Sequence, residues 1–524
     1  MKDPRPNILF IMADQLRWDY LSCAGHPAIM TPNIDALARR GVNLARAYVQ
    51  APICGSSRMC FYTGRYTTSH GASYNAVPLR IDEKMIGDYL RPLGYRVAIV
   101  GKTHHLPDRA TIERLGLDIS AAFGLVLEHG GFEPFERDDG IHPDKHADPN
   151  LPYNRWLREK GYDDHNPWQS YANSVEGDDG EILSGWYLQN AGRPARVKAE
   201  HSETAYMTNR AIDFMREAEG PWCLHLSYIK PHWPYVAPAP YHDMYSPADM
   251  LPPNRSEAER SDPHPVLAAF MRHRESETFS RDDVRERVIP TYMGLISEVD
   301  DHLGRIVAAL EDLGIAESTI VVLTSDHGDY LGDHWLGEKD MLHEEIVRVP
   351  LIVYDPRARA DATRGQSITA LVETIDLVPT FVDWAGGKPH PHRLEGRSLV
   401  PLLEGPVPAD WRQAAFCVSD FASTAARQML GIGPENACAY MVRTARWKFI
   451  FYEGFQPQLF DVDADPHEQN DLGLSPVHAE VRREMEERLF TWLRARKTRV
   501  TVTYEQINDR PKGADAEGVI IGKW

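Results

Sequence analysis

The chain has 524 residues, of which 43% are apolar and 25% charged, and its formal charge is -19. That length accommodates one large domain and a smaller one, and the composition is that of a globular protein with a sizeable core. The acidic balance argues against a nucleic-acid partner and against an anionic membrane surface, so any anion handled here needs a positive field confined to its site. The six cysteines (Cys23, Cys54, Cys60, Cys223, Cys417 and Cys438) show no C-x-x-C pairing. Neither a disulfide framework nor a zinc ribbon fits that spacing, and a reducing compartment is expected. The apolar run ending at Ala13 is too short for a signal peptide and no stretch approaches a membrane span, so a cytoplasmic location is expected.

Asn7 to Ala13 is a continuous apolar run rich in branched residues, which predicts a fully buried strand of a parallel sheet. Asp14 and Gln15 follow at its carboxyl end, where open α/β sheets place ligands. Thr31-Pro32-Asn33 opens a helix and Gly41 closes it. Ala51 to Arg65 then combines a small-residue turn with a helix-competent run. Cys54 is thereby placed at or near a helix N-terminus, where unpaired N–H groups and the helix dipole favour negative charge. Arg58, one turn on, is expected to lean back over the cysteine. Taken alone, such a cysteine is more often a small buried residue in a turn. Asn75 follows in a polar loop.

Arg96 to Val100 predicts another strand, running into Gly101-Lys102-Thr103-His104. From about Pro107 to Ser202 the periodicity fades, and a loop-rich insertion over one face of the sheet is expected, where Trp156, Trp168 and Trp186 either line a pocket or, as is commoner for most such residues, pack beneath its loops. Trp222 to Tyr228 is a further buried strand, and the prolines of Lys230-Pro231-His232-Trp233-Pro234 stiffen the loop that presents His232. Val288 to Leu313 is amphipathic and ends at Gly314. Thr319 to Thr324 is a strand with Ser325-Asp326-His327-Gly328 at its end, and Lys339 lies a short loop later. A strand at Pro350 to Tyr354 and a helix over Val372 to Ala385 complete a doubly wound, mostly parallel α/β sheet flanked by helices, assigned to residues 1–402. Residues 403–524 read as a smaller α+β domain: strands within Tyr440 to Tyr452 and at Pro457 to Asp461, a helix over Glu480 to Lys497, and a tail from Arg499 to Trp524 without helical period, expected to reach a neighbouring subunit of a dimer or tetramer.

Several strand ends therefore carry groups that cooperate chemically. Asp14, Gln15, Asp326 and His327 supply mostly hard oxygen ligands and one imidazole, a set suited to calcium or manganese, and less to magnesium. Arg58, Lys102, His104, His232 and Lys339 supply cations and proton donors, as neutralising a sulfuryl or phosphoryl group requires. Any one of them alone is more commonly a salt bridge or a cap; their shared placement points to a site.

These residues carry a resemblance. Cys54-Gly55-Ser56-Ser57-Arg58 with Thr63-Gly64-Arg65 resembles the signature of sulfatases in the alkaline-phosphatase-like superfamily, whose cysteine is oxidised to formylglycine by a formylglycine-generating enzyme. Gly101 to His104, Pro231 to Pro234 and Ser325 to Gly328 resemble that family's Lys-x-His loop, His loop and metal-binding strand end, so the match spans nearly the whole chain. The resemblance implies that Cys54 becomes an aldehyde hydrate that attacks a small anionic ester, held by Arg58 and Lys102. His104 would help break the resulting adduct. Asn75, His232 and Lys339 would bind the anion and protonate the leaving group. The metal ligands would be Asp14, Gln15, Asp326 and His327. Ser56 stands where the signature usually has Pro or Ala, and Gln15 where Asp is common. Gln15 and the segment His225 to Tyr245 are more like the phosphonate monoester hydrolases, whereas Lys102 and His104 stand where those enzymes carry other residues. The reading adopted is a sulfate ester hydrolase, with phosphonate monoester or phosphodiester hydrolysis as the alternative. An inactive binding homologue would have lost ligands or cations, and none is missing.

Overall fold

Alternation along the first strand sets the architecture. In Asn7–Ala13 (β1), Ile8, Phe10 and Met12 enter one hydrophobic core, and Leu9, Ile11 and Ala13 enter another on the opposite face of the sheet. Every residue from Ile8 onward is therefore buried, which is why the run is apolar without a break. The computed structural model describes residues 5–509, apart from 149 and 389. Its large sheet comprises β1, Val42–Leu44 (β2), Arg96–Gly101 (β3), Glu133–Arg137 (β4), Trp222–Tyr228 (β5), Thr319–Ser325 (β6), Leu351–Tyr354 (β7) and Ser367–Ile368 (β8). The strand order is β8-β2-β7-β6-β1-β5-β3-β4. Pairing is parallel except where β7 runs antiparallel to β6 and to β2.

Register positions the site. Ala13 of β1 is level with Tyr228 of β5 and Ser325 of β6, and Gly101 of β3 is level with Ser227. The residues that leave these four strands, Asp14, Lys102, Ile229 and Asp326, thus emerge along one edge. Gly101 adopts φ +103°, and a Cβ there would lie 2.0 Å from the Ser227 carbonyl oxygen, so only glycine lets β3 come this close before Lys102 turns out.

Helix Pro32–Arg40 (α1) begins and ends as expected. Cys54–Thr63 (α2) lies in the interior, with all ten residues buried. Helices Glu203–Glu217 (α3) and Asp282–Asp312 (α4) cover one face of the sheet, while Leu377–Trp384 (α5) packs on the other.

Three expectations need revision. The region after Pro107 is not all loop: β4 adds an edge strand to the main sheet. Pro134, which cannot donate to a ladder, is tolerated there because no strand among the described residues pairs on its outer side. Val372 to Ala385 is not one helix. Val372–Glu373 pairs with Ala47–Tyr48, a tertiary contact that overrides the local period, and the helix starts only at Leu377. The tail contains a short helix, Tyr504–Asn508, and residues 510–524 lie outside the described residues.

A smaller C-terminal sheet is formed by Ala415–Asp420 (β9), Cys438–Arg443 (β10), Trp447–Tyr452 (β11) and Gln458–Asp461 (β12), antiparallel in that order. Its inner residues, among them Cys417, Met441, Ile450 and Phe460, belong to the same core as β1. Its outer residues Val418, Val442, Phe449 and Leu459 pack under Met485, Leu489 and Trp492 of helix Ala479–Arg494 (α6).

Candidate active site

Cys54 is the first residue of α2, after an extended Ile53, and it is 1% exposed. Its neighbours come from four strand ends. Cys54 Sγ lies 3.0 Å from His327 Nε2, 3.3 Å from Lys339 Nζ and 3.8 Å from Asp14 Oδ1. Burial pushes the thiol towards its neutral form, but Lys339, Lys102, His327 and a hydrogen bond with His104 outweigh burial and hold it well below the usual range. The position therefore stabilises negative charge on whatever side chain stands there.

Donor atoms of Asp14, Cys54, Asp326 and His327 lie within 4.8 Å of one another, and all four residues are buried. Asp326 Oδ1 accepts the N–H groups of Gln15 and His327 at 3.0 and 3.1 Å. His327 Nδ1 donates to the Gly328 carbonyl at 2.7 Å, which turns Nε2 towards the cluster. Two carboxylates and one oriented imidazole fit a hard divalent cation. Gln15, with φ 64°, directs its amide elsewhere: Oε1 accepts from Lys339 Nζ at 2.8 Å, and Nε2 donates to Asp329 at 2.5 Å.

The guanidinium of Arg58 does not lean over Cys54 as expected. Its Nε donates to Asp326 Oδ2 at 2.8 Å, Nη2 to Asp14 Oδ2 at 3.1 Å, and Nη1 to the Lys102 carbonyl and Ser227 Oγ, both at 2.8 Å. Two carboxylates within reach make stronger, charge-assisted partners than a thiol. Lys102 Nζ also pairs with Asp14 Oδ2, at 2.6 Å. Burial and the Cys54 charge push Asp14 upward, yet Lys102, His232 and Arg58 hold its carboxyl far below the ordinary carboxylate range.

On the other side of the sulfur, Lys339 Nζ lies 3.3 Å from His232 Nε2. His232 Nδ1 donates to the Trp233 carbonyl at 2.7 Å, and burial together with Lys339 pushes the imidazole down to about 4. His232 is thus a neutral acceptor beside a charged donor, an arrangement that can hold an anionic oxygen and pass it a proton. His104 adopts φ 49°, and its Nδ1 is buried without a partner. Asn75 Oδ1 accepts the Gly55 N–H at 2.8 Å, which fixes the amide beside the start of α2.

Several supporting residues escaped the sequence reading. Asp139 Oδ1 accepts the N–H groups of Thr103 and His104 at 2.8 and 3.0 Å while Oδ2 pairs with Arg137 at 2.7 Å. Asp329 receives Tyr235 Oη at 2.6 Å as well as the Gln15 amide. The Asp139-Gly140 turn signal was the one available hint to the first; the backbone groups it receives lie 35 residues or more away in sequence. Trp168 is wholly buried, and Trp186 packs between Trp168 and Trp233, so these tryptophans support the His232 loop.

The sequence model of the sulfatase family matches residues 6–387, and a model described as "N-sulphoglucosamine sulphohydrolase, C-terminal" matches residues 332–495. The chain belongs to the sulfatase family. Membership, with relatives named as sulfatases, makes it a sulfuric ester hydrolase. This sulfatase is 32% identical to the multifunctional alkaline phosphatase superfamily protein PehA of Trinickia caryophylli, over 93% of this chain and 95% of that one. It is 28% identical to an arylsulfatase of Clostridium perfringens, over 89% and 90% of the two chains. The solved structure of the phosphonate monoester hydrolase SpPMH from Silicibacter pomeroyi superposes with a TM-score of 0.82 at 29% identity, covering 96% of this chain and 98% of that one. Among the described residues no helix is long and apolar enough to cross a membrane.

Proposed function

We propose that this sulfatase hydrolyses sulfate monoesters at residue 54, with that residue carried as formylglycine and a divalent cation held by Asp14, Asp326 and His327. One observation carries the reading: the Cys54 side chain stands between a cluster of buried carboxylates and an imidazole on one side and the Lys339–His232 pair on the other. The cation supplies positive charge against nucleophile and ester oxygens, and the oxidised residue supplies a nucleophilic oxygen with a route to release sulfate.

The remaining work falls to the chain's own side chains. Arg58 and Lys102 neutralise Asp14 and Asp326 from beneath, so the buried carboxylates stay ionised as ligands. Lys339 and Asn75 take the ester's non-bridging oxygens. His232, neutral and oriented by Trp233, shares the Lys339 proton with the departing oxygen. His104, tied through its backbone to Asp139 and hydrogen-bonded with residue 54, is placed to take a proton from that residue when sulfate leaves.

Phosphonate monoester and phosphodiester hydrolysis at the same site is the second reading, favoured by Gln15 and by the likeness to SpPMH. Lys102 and His104 distinguish the two, because a sulfate presents only bare oxygens where the phosphorus esters carry a substituent. The test compares an aryl sulfate with an aryl phenylphosphonate of the same leaving group, on protein whose residue-54 peptide has been assayed for aldehyde by mass spectrometry. The sulfate is expected to show the higher kcat/KM, and Lys102→Tyr with His104→Thr to move the ratio towards the phosphonate. A wild-type preference for the phosphonate of about tenfold or more would replace the first reading by the second.

A further inference from the structure

Lys230 stands two residues before His232 and is buried. A buried ammonium ordinarily takes a carboxylate as its partner. Glu203 and Glu298 line the same small polar cavity as Lys230, about 20 Å³ in volume and roomy enough for one water molecule. Yet among the described residues neither acid forms an ion pair with it. Its polar contacts go to the backbone of the His232 loop instead: Nζ donates to the Pro234 carbonyl at 2.8 Å and, over 3.4 Å, to the His232 carbonyl. Burial pushes the ammonium towards its neutral form, and the charges of Glu203 and Glu298 oppose that. Trp168 Nε1 holds Glu203 Oε1 at 3.0 Å, so the tryptophan wall and the ammonium share one acid.

The loop needs such a donor for a reason written in its sequence. Within Lys230-Pro231-His232-Trp233-Pro234 two residues have no N–H, so the segment cannot be tied down by a backbone ladder. Its three successive carbonyls are shared out between two side chains. Those of His232 and Pro234 are drawn to Lys230, and the one between them, of Trp233, accepts His232 Nδ1 at 2.7 Å. The ammonium thus grips the chain on both sides of the acceptor that decides the tautomer of His232. With the proton kept on Nδ1, Nε2 retains its lone pair for Lys339, 3.3 Å away. A side chain without a donor at position 230 would leave the buried His232 carbonyl unpaired and release the Trp233 peptide to turn.

We infer that Lys230 is a positioning residue for His232: its ammonium fixes the Trp233 carbonyl, so that His232 presents an unprotonated Nε2 to Lys339 and to the departing oxygen. This rests on the role given to His232 in the sulfate-ester reading. Lys230 itself touches neither Cys54 nor Lys339, and its effect on turnover therefore passes through the imidazole.

The test measures kcat and KM for phenyl sulfate and 4-nitrophenyl sulfate in the wild type, Lys230→Met, His232→Ala and the double variant, each normalised to the aldehyde content of its residue-54 peptide. The poorer leaving group depends more on proton transfer. Lys230→Met should therefore lose about a hundredfold in kcat on phenyl sulfate and less than about tenfold on 4-nitrophenyl sulfate, with KM little changed. His232→Ala should show the same profile, and the double variant should lose no more than His232→Ala alone. Lys230→Arg, which keeps a charged donor, should recover most of the rate. Losses that multiply in the double variant, a profile unlike that of His232→Ala, or wild-type kinetics in Lys230→Met overturn the inference. If Lys230→Met is not obtained folded, Lys230→Gln, whose amide can serve one carbonyl, is judged by the same criteria. A His232→Ala protein that loses both esters equally refutes the proton role of His232, and the double variant alone then decides the inference. A wild type inactive on both sulfates refutes the sulfate reading, and the same proteins are compared on the corresponding aryl phenylphosphonates.

Discussion

Glu298 offers a quantitative test of how the His232 loop is supported. It projects from α4, is 1% exposed, and leaves Oε1 without a hydrogen-bond partner. Lys230, which attracts it, donates to the carbonyls of Pro234 at 2.8 Å and His232 at 3.4 Å, so the acid lies behind the loop that carries the imidazole. Burial raises Glu298 from 4.5 to about 7, against the opposing pull of Ser202 and Lys230. Between those two values the native state keeps the proton and the unfolded chain releases it, so stability falls as pH rises through the window. A shift of roughly 2.5 units at about 1.36 kcal/mol each makes this fall about 3 kcal/mol. Glu298→Gln preserves the shape and removes the titration. Urea unfolding of both proteins should show little difference below pH 4.5, with the variant gaining up to about 3 kcal/mol above pH 7. Glu203, also raised to about 7 and sharing Lys230 with Glu298, titrates in both proteins, so the pH dependence of the difference, rather than its absolute size, is the readout. A difference between the two proteins that is constant across this range would refute the argument.

Arg58→Met should destabilise the fold by about 3–5 kcal/mol, because Asp14 and Asp326 lose a fully buried counter-charge; wild-type denaturant midpoints in the variant would contradict this. Asp139→Ala frees the N–H groups that orient His104, so kcat should fall by roughly ten- to a hundredfold with KM little changed, and the loss should be less than additive with His104→Ala. Chelation should abolish turnover, and Asp326→Ala should lose the metal altogether; full occupancy of that variant by elemental analysis would exclude the proposed ligand set.

The strand ends were legible because a parallel strand buried on both faces is apolar throughout, so the first polar residue after it marks the edge of the sheet. That reasoning found Asp14, Lys102 and Asp326, and the structure brings them together. It could not find β4, whose Glu133-Pro134-Phe135-Glu136-Arg137 is mostly polar, lacks a period-two pattern and contains a proline. It misdirected Arg58, because helical spacing says which neighbours lie one turn away and nothing about carboxylates arriving from other strands. The roles of Asp139 and Asp329 were not legible for a related reason: each receives hydrogen bonds from segments far off in sequence. The C-terminal sheet was read as a domain packed on the first, and its inner face in fact contributes to the same core as β1.

The complete burial of α2 has a consequence for when residue 54 can be altered. All ten residues of the helix are enclosed by the sheet and by the helices around it. A second protein that reads the segment from Cys54 to Arg65 as a linear peptide must grip it in extended form, and the folded molecule offers no such strand. If Cys54 is oxidised by another enzyme, as proposed, that step belongs to the interval between synthesis of this stretch and closure of the core around it. Asp326, which follows β6 and completes the pocket, is made more than 250 residues later, since Ser57 and Asp326 are 269 positions apart. Any such conversion would therefore have the whole span of synthesis between Ser57 and Asp326 in which to act, before the pocket can close.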